Sequence, residues 1–390
     1  MRILVCNVGS TSLKYQLFDM DAGEAVIASG GAERVGSEKS EFYVRENGKK
    51  TAYLCRMPTH REAIQEMLCC LLEHPVDCVG FKVVHAKGVT GTQLLTDRVL
   101  SAMEDFNSVA PAHNPPYLAA IRLFRELMPG IPLIGAFETA FHANMPPEAK
   151  LYSIPTEISE RYAIRRYGFH GASHEYMTHF AAEKLGTDRF RLISCHLGGS
   201  GSLCAVRDGL SVDTSMGLSL QCGVMQNNRI ADIDPYIIFY LAEECGLTLP
   251  EIKTVLQTKS GLLGMSGVSN DLRDVQEAAE QGNERAAIAV RTYCYLIRKY
   301  IGSYLAVLGG ADAITFGGGI GRNSAFVREQ TLSGLEFAGI CLDREKNAAA
   351  CGGSDISADG SPVRVFVVDT NEEIVVARKA AALLKELEGK

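Results

Sequence analysis

Apolar residues fall in short runs bounded by glycine, proline and polar turns, and elsewhere recur at helical spacing. Ile3-Leu4-Val5-Cys6 and Tyr15-Gln16-Leu17-Phe18 flank a polar turn, so residues 2–30 predict strand, hairpin and strand. Residues 34–57 mix charged and apolar positions and predict exposed strands and turns. From Thr59 to about His74, a helix is predicted with Ala63, Ile64, Met67, Leu68, Leu71 and Leu72 on one face. Val79-Gly80-Phe81-Lys82-Val83-Val84-His85 and Pro132-Leu133-Ile134-Gly135-Ala136-Phe137 predict strands. Between them, Ala110-Pro111-Ala112-His113-Asn114-Pro115-Pro116 punctuates the chain before a helix to about Leu127. A second hairpin is predicted where Ile193-Ser194-Cys195 enters His196-Leu197-Gly198-Gly199-Ser200-Gly201-Ser202 and Leu203-Cys204-Ala205-Val206 leaves it. Polar loops at 225–235 and 267–274 open helices, and residues 283–308 form a long, largely apolar helix. The strand Ala313-Ile314-Thr315-Phe316 runs into a third glycine turn, residues 317–324. Val363-Arg364-Val365-Phe366-Val367-Val368 is the last strand, and Thr370 with Glu373 has the spacing of a capping box for a final helix.

The turns carry the candidate chemistry. Asn7-Val8-Gly9-Ser10-Thr11-Ser12-Leu13-Lys14 holds one glycine, three hydroxyls and a lysine. Its N–H groups and the Ser10, Thr11 and Ser12 hydroxyls can face one anion, with Lys14 adding charge. The same residues also satisfy an ordinary polar hairpin. Recurrence favours the anion: three strand-glycine-turn units suggest a duplicated nucleotide-binding core. Lys82 is the one charge in an apolar strand, which makes it a site residue or an edge-strand gatekeeper. Glu138 follows an apolar strand, where α/β sites place chemistry, or caps a helix. His113, His170, His174 and His196 sit in or beside glycine or proline turns, and Arg229 sits in a polar loop. Glu373 is accounted for by capping, which leaves Glu372 as a candidate metal-shell acid.

Length and composition narrow the class. A chain of 390 residues is too long for one small core and predicts two domains. A net charge of −7 disfavours nucleic acid or an anionic membrane as partner. No apolar run approaches the roughly 18 residues that span a bilayer. The N-terminus enters a strand at once and lacks a signal-peptide layout, so a cytoplasmic protein is expected. The 12 cysteines are scattered and form no C-x-x-C, which reads as reduced thiols rather than a metal centre.

Together these stretches resemble the acetate kinase family, the short-chain carboxylate kinases of the actin-like ATPase superfamily. The likeness runs from Asn7 to the last helix. It rests on residues 7–14, Val83-Val84-His85, His113-Asn114-Pro115-Pro116, Thr139-Ala140-Phe141-His142, residues 167–174, His196-Leu197-Gly198, residues 213–217, Arg229 with residues 232–235, Asp271 with Arg273, Gly319-Ile320-Gly321 and residues 370–373. The resemblance implies an α/β fold of two actin-like (ribonuclease H-like) domains, each a five-stranded mixed sheet with flanking helices. Residues 1–141 with 375–390 would form one domain and 142–374 the other, with the nucleotide between them and a homodimer as the working unit. It implies transfer of the γ-phosphoryl group of ATP to a small carboxylate, reversibly, with Mg²⁺ or Mn²⁺. Glu138, His170 and Arg229 would be catalytic, and Asn7 and Glu372 would lie at the metal. Lys82, Val84, Ala112, Phe169 and Leu220 would take the carboxylate. Lys14, His196, Gly198, Gly199, Ser200, Gly201, Asp271, Leu272, Arg273, Gly319, Ile320, Gly321, Arg322 and Asn323 would hold the nucleotide, supported by Ser10, Ser12 and His113.

The chain departs from the family pattern at several of these positions. Lys82 stands where the family has arginine, and Glu138 where it has aspartate. Glycine, serine and glycine at 199–201 replace the Asn-Gly of a His-Leu-Gly-Asn-Gly hairpin. Gln226-Asn227-Asn228 replaces Met-Gly-Thr before the arginine. Arg322 replaces a glutamate, and Ala112 and Leu220 replace a leucine and a proline. Lysine loses the planar fork of arginine, while glutamate reaches one methylene further, so the two exchanges can compensate. Ala112 enlarges the acyl pocket. The altered turns leave two other readings open: phosphoryl transfer to another acceptor, such as a hydroxyl with Glu138 as base, or from another donor such as pyrophosphate; and a weakly active nucleotide-binding relative.

Overall fold

The first apolar run forms strand β1 (Arg2–Gly9), which turns tightly into β2 (Ser12–Asp19). The computed structural model describes residues 1–46 and 48–389. The chain folds as two units, Met1–Ala143 with Asn371–Lys390, and Asn144–Thr370. Boundaries expected after 141 and 374 thus fall after 143 and 370. The second shift has a local cause: the last helix, Glu372–Glu388, is capped by the Asn371 side chain rather than by Thr370, and Glu372 pairs with a residue of the first unit.

The first unit is built on one mixed sheet. After β1 and β2 come β3 (Ala25–Glu33), β4 (Glu41–Glu46), β5 (Lys49–Leu54), β6 (Cys78–Val83), β7 (Thr92–Leu94) and β8 (Leu133–Phe137). Their order is β5-β4-β3-β2-β1-β6-β8-β7. β1, β6 and β8 run parallel and the rest add antiparallel edges. This sheet has eight strands, not the expected five. The polar segment 34–57 supplies a hairpin at one edge, and the short β7 closes the other. Both faces are covered, and strand parity shows how. Gly80 faces the last helix: a Cβ there would lie 3.1 Å from Val376 Cγ1 and crowd it, so glycine favours the helix's close approach. Its neighbour Phe81 points to the opposite face and meets Phe124 of helix Asn114–Leu127 edge-on at 5.1 Å. Thr59 caps helix His60–Cys70 with a full capping box. That helix stops before Leu72, which therefore leaves the buried face and is 83% exposed.

The second unit is organised by a sheet of five strands. These are β9 (Arg191–Leu197), β10 (Gly201–Arg207), β11 (Leu210–Thr214), β12 (Ala313–Gly317) and β13 (Arg364–Val367), in the order β11-β10-β9-β12-β13. Strand β9 alternates. Ile193, Cys195 and Leu197 join the core with Tyr293 and Ile297 of the long helix Glu284–Leu308. Ser194 and His196 face the other way, toward helix Gly171–Leu185. The glycine stretch after β12 is a short helix, Gly318–Asn323, rather than an open turn. Buried Arg328 holds it there, donating to the carbonyls of Gly321 and Arg322 at 2.8 Å each. Of the four turn histidines, His174 proves to lie within a helix and His196 on a strand.

Candidate active site

In the first unit the carboxyl ends of β1, β6 and β8 bring charges together. Lys82 and Ala136 are in register, so Lys82 and Glu138 share a face at neighbouring strand ends. The Lys82 ammonium lies 2.6 Å from Glu372 Oε2 and 3.4 Å from Glu138 Oε1. Its nearest partner is thus Glu372, not the Glu138 with which the sequence paired it. Burial opposes the charge on Lys82, but Glu138 and Glu372 more than offset it and hold the ammonium well above the usual lysine range. Asn7 stands beside this group. Its Oδ1 accepts from the Tyr117 hydroxyl at 2.8 Å, and that hydroxyl accepts in turn from the Val8 N–H at 3.4 Å. Burial pushes Tyr117 up to about 12, so it stays a donor at neutral pH. Tyr117 was not foreseen. Its helical position reads as one more apolar-face aromatic, and only the fold shows its hydroxyl at the end of β1.

Asn7 and Glu372 offer hard oxygen donors, the class that Mg²⁺ takes. Among the described residues no three His, Cys, Asp or Glu side chains gather into a metal cluster. These donors suit an ion whose remaining ligands are phosphate oxygens and water. Lys14 lies opposite Asn7 in register and lines a cavity of about 240 Å³ with Ser29, Tyr43, Arg45 and Glu373. Ser10 is exposed at the hairpin turn, and Ser12 is half-buried. Val84 is buried, Ala112 exposed and His113 half-buried ahead of helix Asn114–Leu127.

The second unit supplies imidazoles and a guanidinium. His170 precedes helix Gly171–Leu185 with φ 58°, a left-handed conformation uncommon for a side-chain-bearing residue. Its Nδ1 is 2.8 Å from Ser202 Oγ, and its ring stacks on His196 with centroids 4.2 Å apart. His196 Nδ1 is 2.6 Å from Ser173 Oγ. His174 links Ser194 and Ser202 at 2.8 Å each, so it braces the pair from behind. Phe169 and Leu220 are buried. The Leu220 carbonyl accepts from Gln226 Nε2 at 2.7 Å, and Gln226 Oε1 accepts from Ser200 Oγ at 2.8 Å. Arg229 Nη1 reaches Ser200 Oγ at 3.3 Å and Gln226 Oε1 at 3.4 Å. Among the described residues its hydrogen bonds go only to these neutral groups, and burial lowers its pKa.

A cavity of about 590 Å³ opens in the same unit, large enough for a nucleotide. Gly198, Gly199, Asp271, Leu272, Arg273, Gly319, Ile320 and Asn323 all line it, as do the unforeseen Asn227, Gln276 and Ser324. Asp271 caps helix Leu272–Glu280, and the Arg273 guanidinium holds its carboxyl down at about 2. Ser200, Gly201, Gly321 and Arg322 stand outside this lining. Ser200 is turned to Gln226, the two glycines are buried, and Arg322 is drawn 3.2 Å from Asp369.

The comparisons with known proteins agree along the whole chain. The model of the Acetokinase family matches residues 2–378. An acetate kinase of Clostridium botulinum is 45% identical, covering 97% of this chain and 98% of its own. The crystal structure of Porphyromonas gingivalis acetate kinase is 36% identical, with TM-score 0.88 over 98% of this chain and 99% of that one. A propionate kinase structure from Francisella tularensis is 32% identical, with TM-score 0.89 over 97% and 98%. The chain belongs to the acetokinase family, and its two mixed α/β sheets are those of that family's actin-like fold.

Proposed function

We propose that the protein transfers the γ-phosphoryl group of ATP to a short-chain carboxylate, reversibly, giving an acyl phosphate. One observation carries the reading beyond family membership. Arg229 is a half-buried cation bonded to neutral oxygens, in the same unit as the stacked His170–His196 pair. Such a cation awaits an anion. A carboxylate acceptor is already ionised at neutral pH, so the reaction needs no strong base. It needs positioning and charge neutralisation. Arg229 would neutralise the equatorial oxygens of the transferring group. His170, its Nδ1 engaged by Ser202, would present Nε2 to the same oxygens. The cavity at Gly198, Asp271 and Gly319 would take the nucleotide. Lys82 would attract the acceptor carboxylate while Glu138 and Glu372 keep the ammonium charged and aimed. Asn7 and Glu372 would hold a Mg²⁺ or Mn²⁺ ion, which supplies charge neutralisation on the phosphate oxygens. A homodimer is the expected assembly. It would cover apolar side chains that helix Tyr236–Glu243 leaves open, with Tyr236 74% and Tyr240 62% exposed.

Hydroxylamine trapping with ATP, Mg²⁺ and a series of acids from formate to valerate tests the reading. Hydroxamate is expected with two- to four-carbon acids. Ala112→Leu should move the preference toward the shorter acids by about tenfold in kcat/KM, the worth of one or two methylenes in an apolar pocket. No hydroxamate with any acid would overturn the proposal.

A further inference from the structure

We propose that Asn227 is a nucleotide-binding residue, its amide delivered from the loop before Arg229 into the space of a side chain at position 199. The proposal deepens the kinase reading and rests on it. An ideal Cβ on Gly199 would lie 3.2 Å from Asn227 Nδ2 and 3.7 Å from its Cγ. Gly199 is not in the left-handed region, so its backbone would accept a side chain. A side chain at 199 would crowd the Asn227 amide, which occupies that room. The backbones are tied as well. The Asn227 N–H donates to the Gly199 carbonyl at 3.1 Å, and the Asn227 carbonyl accepts from Leu263 N–H at 2.9 Å.

The amide has an unfinished hydrogen-bond set. Among the described residues, Asn227 Oδ1 has no donor partner and is shielded from solvent as placed, while the Asn227 side chain lines the 590 Å³ cavity. Buried acceptors are nearly always satisfied, and a turn of the Asn227 amide about its Cβ–Cγ bond would bring this one to the cavity wall, where a ligand donor can satisfy it. ATP and ADP carry such donors in their ribose hydroxyls and adenine amine. A side-chain bond joins the same two loops, Ser200 Oγ donating to Gln226 Oε1 at 2.8 Å.

The test is a reciprocal exchange read by calorimetric titration of ADP. Asn227→Gly should weaken ADP binding about tenfold, while the KM for the carboxylate stays within about twofold. Gly199→Asn alone should weaken it as well, because two amides then compete for one space. The double variant Gly199→Asn with Asn227→Gly should return to within about twofold of wild type. Asn227→Ala replaces the glycine variant should that one fail to fold. Unchanged ADP affinity in Asn227→Gly or Asn227→Ala, or a double variant no better than the singles, would overturn the proposal. Wild-type protein that binds no ADP would instead remove the kinase reading beneath it.

Discussion

Arg229→Ala is expected to lower kcat by about a thousandfold, the low end of what a guanidinium contributes to phosphoryl transfer. The KM for the carboxylate should change little. The loss falls on kcat because charge spreads over the equatorial oxygens chiefly in the transition state. The surroundings of Arg229 suit this proposed role. Ser200 Oγ and Gln226 Oε1 orient Nη1 without neutralising it, and burial makes the bare cation costly until an anion arrives. Arg229→Lys should recover only a small part, since a point charge cannot bridge two oxygens with parallel bonds. Stability should stay the same or rise slightly, because an uncompensated half-buried charge is removed. A fall in Tm with a proportionate fall in active fraction would mark Arg229 as structural instead.

The second large effect concerns Lys82. Its ammonium ties Glu372, at the start of the last helix, to Glu138 at the end of β8. Lys82→Met leaves two largely buried carboxylates facing each other and should destabilise the first unit by about 3 kcal/mol. Adding Glu372→Gln to that variant should restore part of the loss, which denaturant titration can read. The sign with pH follows from the raised lysine pKa. The stabilisation is fully present below the ordinary lysine value of about 10.4 and is lost only as pH rises through the higher folded value. The lysine's own titration therefore leaves the gap between wild type and Lys82→Met unchanged across neutral pH and narrows it only in strong alkali. Lys82→Arg alone should harm activity more than the same change made together with Glu138→Asp. Additive effects in that cycle would mean the two exchanges do not compensate.

The frame was legible because it depends on short-range patterning. Apolar runs, the capped helix at Thr59 and the two glycine hairpins all stand in the fold as strands, helix and turns. The errors cluster where tertiary packing overrides local spacing. Leu72 keeps helical spacing but falls beyond the end of its helix. Thr370 and Glu373 have capping-box spacing, yet Asn371 caps the helix and Glu372 turns to Lys82. The third glycine stretch curls into a helix because Arg328, buried further along, takes its carbonyls. Much of the candidate site was visible as glycine, histidine and charge at turns. The supporting residues were not. Tyr117, Gln226 and Asn227 bond to partners far along the chain or in the next loop, and nothing in their own neighbourhoods announces that. His196 and Ser194 come closest, since their alternation with Ile193, Cys195 and Leu197 already sets them on a separate face of β9.

The most direct test of carboxylate phosphorylation follows an oxygen atom. Acetate or propionate labelled with oxygen-18 at both carboxyl positions is incubated with ATP and Mg²⁺, and the product is trapped with hydroxylamine. Attack of a carboxylate oxygen on the γ-phosphorus leaves that oxygen bridging carbon and phosphorus. Hydroxylamine then displaces phosphate at the carbonyl carbon, and the bridging oxygen departs with the phosphate. Phosphate carrying one oxygen-18, in step with hydroxamate and visible as an upfield phosphorus NMR shift, is the predicted result. Unlabelled phosphate would show that ATP was hydrolysed or another acceptor used, and would contradict the account.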